Sequence, residues 1–337
     1  MAVATRTSVI GSGSFGTALC NVLAVNCEQV HLWGRDEKLV AAINEHHQNP
    51  TYLPNIPLAQ SIWATSSLEE ALEKSELVVA ATPSHAMRDV IVRAVEFLPR
   101  HVPIIAVAKG IENETLLTMS EVLEDCLPEE FHPYIGVLSG PSFAKETALR
   151  MPTVVTIASR WDKLATRVQR VFHTDSFRTY TSSDVIGVQL GGSLKNVIAI
   201  AAGIADGLGF GHNARAGIIT RGLAEISRIA TRHGANPLTL AGLSGLGDLV
   251  LTCTGDLSRN RSLGIELGKG RTLAEILAGM KQVAEGVKTA KSARDMAVRD
   301  KVELPICDQV YSILYEGKSP KMAVVELMSR QPKSELL

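Results

Sequence analysis

The chain has 337 residues, 45% of them hydrophobic and 20% charged, which is ordinary for a folded globular protein and long enough for two domains with substantial cores. Its 34 basic and 35 acidic side chains give a net charge of -1, so no overall field favours nucleic acid or anionic lipid, and any anion site must be local. The five cysteines form no CxxC pair and the histidines no HExxH spacing, which argues against a disulfide framework and a metal site, and the lack of a signal-peptide core favours a cytoplasmic protein.

Strand-like and helix-like segments alternate through the first half of the chain. Short β-branched runs predict strands, and the amphipathic segments between them predict helices. This alternation is typical of a parallel sheet covered by helices, so we predict a doubly wound, mostly parallel Rossmann-type α/β domain. The predicted strands are at residues 8–10, 30–33, 77–81, 104–107, 135–138, 154–158 and 177–181, and the predicted helices at residues 15–25, 37–46, 86–97 and 116–127.

A glycine-rich turn follows the first predicted strand. In the segment TSVIGSGSFGTALCNVLA, Gly11, Gly13 and Gly16 have the GxGxxG spacing between a strand and an apolar helix. The first glycine permits a tight turn, the second lets a pyrophosphate approach the backbone, and the third lets the helix pack on the strand. The helix N-terminus attracts the anion. The motif alone would fit an ordinary turn, but at the first strand of an alternating chain it predicts a dinucleotide site.

The second predicted strand ends in HLWGRDE, where this fold often places an acidic residue on the adenosine ribose. Asp36 comes late for that role, and we interpret it as a solvated charge at a helix start. Arg35 comes first, and an arginine there can stack on adenine or pair with a 2′-phosphate. The segment therefore favours NADP as the cofactor without excluding NAD.

The second half of the chain lacks strand signals and predicts helices. Apolar residues recur at helical spacing through residues 215–233, and Thr272 with Glu275 forms a capping-box pattern. We therefore place the dinucleotide-binding domain at residues 1–183 and an all-helical domain at residues 184–337. Since no repeat or low-complexity linker separates them, the two domains are expected to pack directly and form a cleft.

The helical half begins with the apolar run VIGVQLGGSLKNVIAIAAGIA, whose only charge is Lys195. Its length fits a membrane span, but the lysine, its polar neighbours and the lack of a second long apolar run argue against membrane insertion. Either a core helix lets its lysine reach water, or the helix presents the lysine to a substrate. Gly191, Gly192 and Ala199 lie one turn from Lys195 and leave its face open. Desolvation there would lower the lysine pKa, as a proton-transferring group requires.

Seven motifs occur in order over nearly the whole chain, namely GSGSFGTA, HLWGRD, VAKGIE, LSGPSFAKE, GGSLKN, SGLGDL and TGDLSRNRSLG. Together they resemble the NAD(P)-dependent glycerol-3-phosphate dehydrogenase family of bacterial type. The resemblance implies a dinucleotide domain joined to a helical domain, with NAD or NADP as cofactor. It also implies the reversible reduction of dihydroxyacetone phosphate to sn-glycerol 3-phosphate, which supplies the phospholipid glycerol backbone. A homodimer is the default expectation from base rates.

The resemblance also implies roles for individual residues. Lys195 would be the acid/base group that donates to the ketone oxygen when protonated and takes the alcohol proton when neutral. Asp248 would orient Lys195 but would also favour its ammonium form, so the direction of the lysine pKa shift stays open. The implied substrate ligands are Lys109, Gly140, Ser142, Asn196, Asp248, Thr252, Ser258, Arg259 and Asn260. The implied cofactor ligands are Gly11, Gly13, Ser14, Phe15, Gly16, Trp33, Arg35, Lys109, Ala144, Arg259, Val283 and Glu285.

The segment DLSRNRSLG carries the implied phosphate clamp. Ser258 can cap a helix whose first turn carries Arg259 and Asn260, and helix N-terminal amides with a guanidinium suit a phosphate. Arg261 is interpreted as a solvated charge. We define the phosphate clamp as Ser258, Arg259 and Asn260.

Plainer interpretations remain open for several of these residues. Lys109 could be a surface lysine after a strand, Ser142 a helix cap, Asn196 an internal hydrogen-bond partner and Glu285 an acid at a helix start. Two other functions also compete. A hydroxy-acid reductase would leave the phosphate clamp unexplained, and a catalytically silent NAD(P)-responsive binding module would leave the lysine, acid and arginine set unexplained.

Overall fold

The computed structural model describes residues 3–280, 284–332, 334 and 335. The predicted fold is confirmed, since a mostly parallel sheet with helices is followed by a helical half. The strands are β1 Ala4–Ile10, β2 Cys27–Trp33, β3 Gln48–Asn49, β4 Leu53–Pro57, β5 Ile62–Thr65, β6 Leu77–Ala80, β7 Ile104–Ala106, β8 Ile135–Ser139, β9 Thr153–Ala158 and β10 Phe177–Ser182. The helices of the first half are α1 Ser14–Leu23, α2 Glu37–His46, α3 Leu68–Leu72, α4 Met87–Ala94, α5 Met119–Cys126, α6 Ala144–Ala148 and α7 Asp162–Phe172.

The main sheet has the strand order β10-β9-β8-β7-β6-β1-β2-β5. Its neighbouring strands are parallel except for β8 and β9, which are antiparallel. The chain passes from β1 to β2 on one side of β1 and later places β6 on its other side. The direction in which strands are added to the sheet therefore reverses at β1. Ligands bind such folds outside the carboxyl ends of the strands at this point. The glycine turn after β1 lies there, and so does the segment after β7.

The strands predicted from sequence are all found, with ends shifted by a few residues. The alternation did not predict β3, β4 or β5, because these strands are short and lie in one segment rich in polar residues. β5 extends the main sheet at the edge beside β2, while β3 and β4 pair with each other.

The second half of the chain is helical in its described residues. Its helices are α8 Val185–Gly207, α9 His212–Arg232, α10 Pro237–Leu240, α11 Asp248–Thr254, α12 Arg259–Gly268, α13 Leu273–Ala278, α14 Glu285–Asp300, α15 Pro305–Tyr315 and α16 Pro320–Met328. A π-helical turn, Leu243–Gly247, joins α10 to α11. The predicted capping box is confirmed at the start of α13, where Thr272 and Glu275 bond each other's backbone amides.

Two helical segments in the described residues are long and apolar enough to cross a membrane by length and composition. One is α8, and 89% of its most apolar window is buried inside the protein. The other, Pro237–Thr254, corrects our expectation that no second such run exists. The sequence pattern does not mark this segment as one long helix, because glycines separate its two short helices and its mean hydropathy is only 1.2. α8 is thus the core helix of the second half, packed mainly by α9, α11, α12 and α14.

Candidate active site

The glycine turn after β1 has the geometry that its three glycines predict. Gly11 has φ +126°, and a Cβ there would lie 2.7 Å from the carbonyl oxygen of Ala81. A Cβ at Gly16 would lie 2.0 Å from the carbonyl oxygen of Gly11, so α1 packs directly on the turn. A Cβ at Gly13 would meet no heavy atom of the described residues within 4 Å. Open space at the N-terminus of α1 therefore lies where a pyrophosphate is expected.

A polar segment that our sequence analysis missed braces this turn. Asn49 is fully buried in β3, and its amide donates to the carbonyl oxygen of Ser12 (2.9 Å) and to the Thr17 hydroxyl (2.8 Å). Ser14 donates to the carbonyl oxygen of Tyr52 (2.6 Å), whose own N–H donates to Asn49. No periodic pattern marks these residues, and the only available signal was an asparagine inside the turn-rich segment QNPTYLPN.

Lys195 lies on α8 with 5% of its surface exposed. Its ammonium donates to Asp248 Oδ1 and to Thr252 Oγ1, both at 2.7 Å. The Thr252 hydroxyl in turn donates to the carbonyl oxygen of Asp248 (2.6 Å). Because Asp248 and Thr252 are one helical turn apart on α11, both face α8 together. Two of the three ammonium N–H groups thus donate to described residues, and the third is able to donate to a ligand.

Lys109 meets the other oxygen of the same carboxylate. Its ammonium donates to Asp248 Oδ2 (2.7 Å), to the carbonyl oxygen of Gly140 (2.8 Å) and to the Ser142 hydroxyl (3.4 Å). It also lies 5.8 Å from the ring centre of Phe15, beside the glycine turn. Gly140 has φ +146°, and a Cβ there would come within 2.9 Å of the Val155 backbone. Lys109 therefore links the sheet edge to the helical half and is not a solvated surface lysine.

The direction of the Lys195 pKa shift follows from this environment. Burial lowers the pKa of Lys195 to about 8, and the Asp248 carboxylate opposes the shift while the Lys109 ammonium adds to it. Desolvation thus outweighs the ion pair, which answers the question that the sequence left open. A lysine with this pKa can both donate and accept a proton near neutrality. We call Lys109, Lys195, Asp248 and Thr252 the lysine cluster.

Asn196 and Asn260 form a chain of amide hydrogen bonds next to the lysine cluster. Asn196 donates to the carbonyl oxygen of Lys109 (3.1 Å) and accepts from the Asn260 amide (3.0 Å). Asn260 accepts from the N–H of Gly286 (3.0 Å), at the start of α14. These amides join the segment after β7 to three helices. Each amide group keeps one N–H beyond the bonds described, so both residues can support the site and still contact a ligand.

The phosphate clamp lies at the start of α12. Ser258 is buried and accepts from the N–H of Arg261 (3.2 Å), so it caps the helix as predicted. Arg259 in the first turn is exposed. Burial raises the pKa of Glu285, and the positive charge of Arg259 lowers it. The charges of Lys195 and Lys109 also lower it. The backbone of Ser84, after β6, also lowers the pKa of Glu285 and so opposes the effect of burial.

Other predicted residues lie apart from the lysine cluster. Trp33 is buried at the end of β2, and its indole N–H donates to the carbonyl oxygen of Ser66 (3.0 Å). Arg35 is exposed two residues later. Asp36 caps α2 through the amides of residues 38 and 39, as we interpreted it. Ala144 begins α6, and Val283 lies outside the described residues.

Arg261 corrects our interpretation of a solvated charge. Its guanidinium is largely buried and pairs with Asp206 of α8 (2.9 Å) and with Asp256 (3.0 Å). The sequence could not show this pair, because Asp206 is far from Arg261 along the chain.

A glycine turn at the switch point of a doubly wound sheet, facing a buried amine of lowered pKa, defines the class of two-domain nicotinamide-dependent dehydrogenases. Residues 6–165 match the family model described as the NAD-dependent glycerol-3-phosphate dehydrogenase N-terminus, and residues 184–325 match the model of its C-terminus. The chain belongs to the NAD-dependent glycerol-3-phosphate dehydrogenase family.

Relatives in sequence and structure agree with this assignment. The chain is 71% identical over 331 residues to glycerol-3-phosphate dehydrogenase [NAD(P)+] of Myxococcus xanthus, covering 98% of this chain and 99% of that protein. The crystal structure of glycerol-3-phosphate dehydrogenase from Coxiella burnetii matches with a TM-score of 0.91 and 37% identity, over 97% of this chain and all of that one. A ketopantoate reductase from Ralstonia eutropha matches over 95% of this chain and all of that one at 14% identity and a TM-score of 0.61, which shows the fold alone. The predicted family, the oxidoreductase class and the NAD or NADP cofactor are thereby confirmed.

Proposed function

We propose that this protein reversibly reduces dihydroxyacetone phosphate to sn-glycerol 3-phosphate with NADPH or NADH, and that Lys195 is its acid/base group. One observation carries the proposal, namely that the Lys195 ammonium is buried at the junction of the two halves with a pKa lowered to about 8. A lysine that merely reached solvent would keep its ordinary pKa. The product would supply the glycerol backbone of phospholipids.

The residues around the glycine turn fit a dinucleotide. The space beside Gly13 would admit the pyrophosphate to the α1 N-terminus, where backbone amides and the helix dipole favour an anion. Phe15 and Arg35 would hold the rest of the cofactor, with Ala144, Glu285 and the segment that includes Val283 on its nicotinamide side. When bound, the reduced nicotinamide supplies the hydride.

The lysine cluster then performs the proton transfer. In reduction the Lys195 ammonium gives one proton to the ketone oxygen as the carbonyl carbon becomes an alcohol carbon, and the neutral amine must regain a proton before the next turnover. In oxidation the neutral amine accepts the alcohol proton. Asp248 and Thr252 hold the nitrogen in place in both directions, and the Lys109 ammonium adds positive charge where negative charge develops on oxygen.

The phosphate clamp would hold the other end of the substrate. The backbone amides at the start of α12 and the Arg259 guanidinium are suited to a phosphate dianion. Gly140 and Ser142 contact Lys109 and would lie beside the bound substrate. The clamp favours a phosphate ester over a free hydroxy acid, which has no group to place there.

The test is the variant Lys195→Ala, assayed by nicotinamide absorbance with dihydroxyacetone phosphate. We expect turnover to fall by about 10²–10⁴, the usual contribution of a positioned acid/base group, with NADPH affinity nearly unchanged. Lys163→Ala, which removes an exposed lysine of α7, serves as the matched control. Near-normal turnover in Lys195→Ala would refute the assigned role. Oxidation of neither NADPH nor NADH by the unaltered protein would refute the substrate.

We further propose a homodimer that acts in the cytoplasm without inserting into a membrane, with its domains divided at residue 183. The last strand of the sheet ends at Ser182 and α8 begins at Val185, which supports this boundary. Closed twofold dimers are the commonest assembly among soluble homo-oligomers. Light scattering after size-exclusion chromatography tests the dimer, and a monomeric mass at micromolar concentration would contradict it.

A further inference from the structure

The two helices that carry Lys195 and the phosphate clamp lie side by side in one register. Along α8 and α12, Asn196 meets Asn260, the carbonyl of Ile200 meets Gly264, and the carbonyl of Ile204 meets Gly268. Each step of four residues on α8 matches a step of four on α12, so the helices run parallel and turn matches turn. The same register brings the first turn of α12 level with Lys195.

The backbones of these helices touch at glycines from both sides. A Cβ at Gly203 would lie 2.1 Å from the carbonyl oxygen of Arg261, and one at Gly207 would lie 2.2 Å from that of Ile265. A Cβ at Gly264 would lie 2.2 Å from the carbonyl oxygen of Ile200. This contact brings the helices close, but glycines alone give little resistance to sliding along the helix axes.

An ion pair supplies that resistance. Arg261 Nε and Nη2 both donate to Asp206 Oδ2 at 2.9 Å, across the α8–α12 contact. The other oxygen of Asp206 accepts from Arg215 of α9 (2.8 Å). Both partners are largely buried, so the pair is held in one geometry and a shift of α12 would leave buried charges unpaired.

We propose that Asp206 and Arg261 are positioning residues that fix the separation between Lys195 and the phosphate clamp. This separation selects substrates with a single methylene between the carbonyl and the phosphate ester oxygen. The inference rests on the proposed function, because it needs Lys195 to act on the carbonyl and α12 to hold the phosphate. A shift of α12 by one residue rise, about 1.5 Å, is comparable to inserting one methylene into the substrate.

The experiment compares Asp206→Asn, Arg261→Gln and the double variant with the unaltered enzyme. We measure kcat and KM for dihydroxyacetone phosphate and for its homologue with one more methylene, 1-hydroxybutan-2-one 4-phosphate. We expect KM for dihydroxyacetone phosphate to rise about tenfold or more with kcat changed less, because a shifted α12 contacts the phosphate less well in both the ground state and the transition state. The ratio of kcat/KM for dihydroxyacetone phosphate to kcat/KM for the homologue should fall. KM in the double variant should be no higher than in the more impaired single variant, because the two residues act as one pair.

The matched control is Glu266→Gln, which removes a partly exposed carboxylate of α12 that pairs with Lys269 and Arg271. This variant should change neither KM nor discrimination. Unchanged KM and discrimination in folded Asp206→Asn and Arg261→Gln would overturn the inference, and so would additive effects in the double variant. If Asp206→Asn does not fold, Arg261→Gln and Arg261→Lys decide, and the glutamine variant must show the larger rise in KM. If Arg259→Ala leaves KM unchanged, the proposed clamp itself fails, which is a separate outcome.

Discussion

Lys195 shows how one residue gains chemistry from its surroundings. Burial on α8 disfavours the ammonium, while the Asp248 carboxylate at 2.7 Å favours it. Since desolvation is the larger of the two effects, the amine titrates near neutrality instead of near its ordinary value of about 10. Asp248 therefore keeps a buried amine protonated enough to donate.

This balance predicts a signed pH profile for reduction. The ammonium must be protonated to donate, so kcat/KM for dihydroxyacetone phosphate should fall as pH rises through about 8. Asp248→Asn removes the carboxylate that raises the lysine pKa, so the fall should move to lower pH in that variant. Initial rates between pH 7 and 10, above the titration of the substrate phosphate near 6, measure both profiles. A decline at the same pH in both enzymes would contradict the role given to Asp248.

At the scale of elements, the glycine turn with α1 is the part that local sequence describes best. Its conformation depends on three glycines within six residues, and their distances match the role of each one. The hairpin β3–β4 braces the turn from about forty residues away and was not predicted. Its contacts are two hydrogen bonds from Asn49 and one to Tyr52, which leave no periodic pattern in the sequence.

The same reasoning explains the other differences between sequence and structure. Helices of the second half follow from apolar spacing and caps, which are local. The Asn196–Asn260 bond and the Arg261–Asp206 pair join residues more than fifty positions apart, and each residue alone looks like a ligand or a solvated charge. The family resemblance had named all four members of the lysine cluster as site residues, and the structure brings them into contact. Two features could be learned only from the three-dimensional structure, namely that Asp248 bridges Lys109 and Lys195, and that the pKa of Lys195 is lowered.

Two variants of the glycine turn distinguish its role in cofactor binding from its role in packing α1 on the sheet. Gly13→Ala places a methyl group in open space, and its backbone (φ -70°) suits alanine, so the cofactor-free protein should lose less than about 1 kcal/mol. The methyl group would occupy the space proposed for the pyrophosphate, so NADPH affinity should fall strongly. Gly16→Ala must push α1 from the turn and should lower both stability and affinity. Thermal unfolding with and without NADPH measures both quantities, and unchanged stabilisation by NADPH in Gly13→Ala would refute the proposed position of the pyrophosphate.

At the scale of the whole molecule, one buried carboxyl group links global stability to pH. Glu225 of α9 is 3% exposed and accepts the N–H groups of Ile306 (2.7 Å) and Cys307 (3.2 Å), at the start of α15. The carboxyl group thus caps a helix that packs on both α8 and α9. Burial raises the pKa of Glu225 from 4.5 to about 7, and the two backbone bonds only partly oppose this. Proton uptake by Glu225 is therefore favoured by folding.

The sign of the resulting pH dependence follows from linkage. Between about pH 4.5 and 7 the unfolded chain releases this proton while the folded protein keeps it. The contribution of Glu225 to the free energy of unfolding therefore falls as pH rises through this range and is constant above 7. The whole effect is on the order of 3 kcal/mol. Glu225→Gln cannot titrate, so the stability of the native chain relative to this variant should decline between pH 5 and 7, as measured by urea unfolding at each pH. Glu266→Gln, at a partly exposed carboxylate, should show no comparable decline. A difference between native chain and Glu225→Gln that stays constant from pH 5 to 8 would show that Glu225 is ionised throughout, with its two amide bonds outweighing burial.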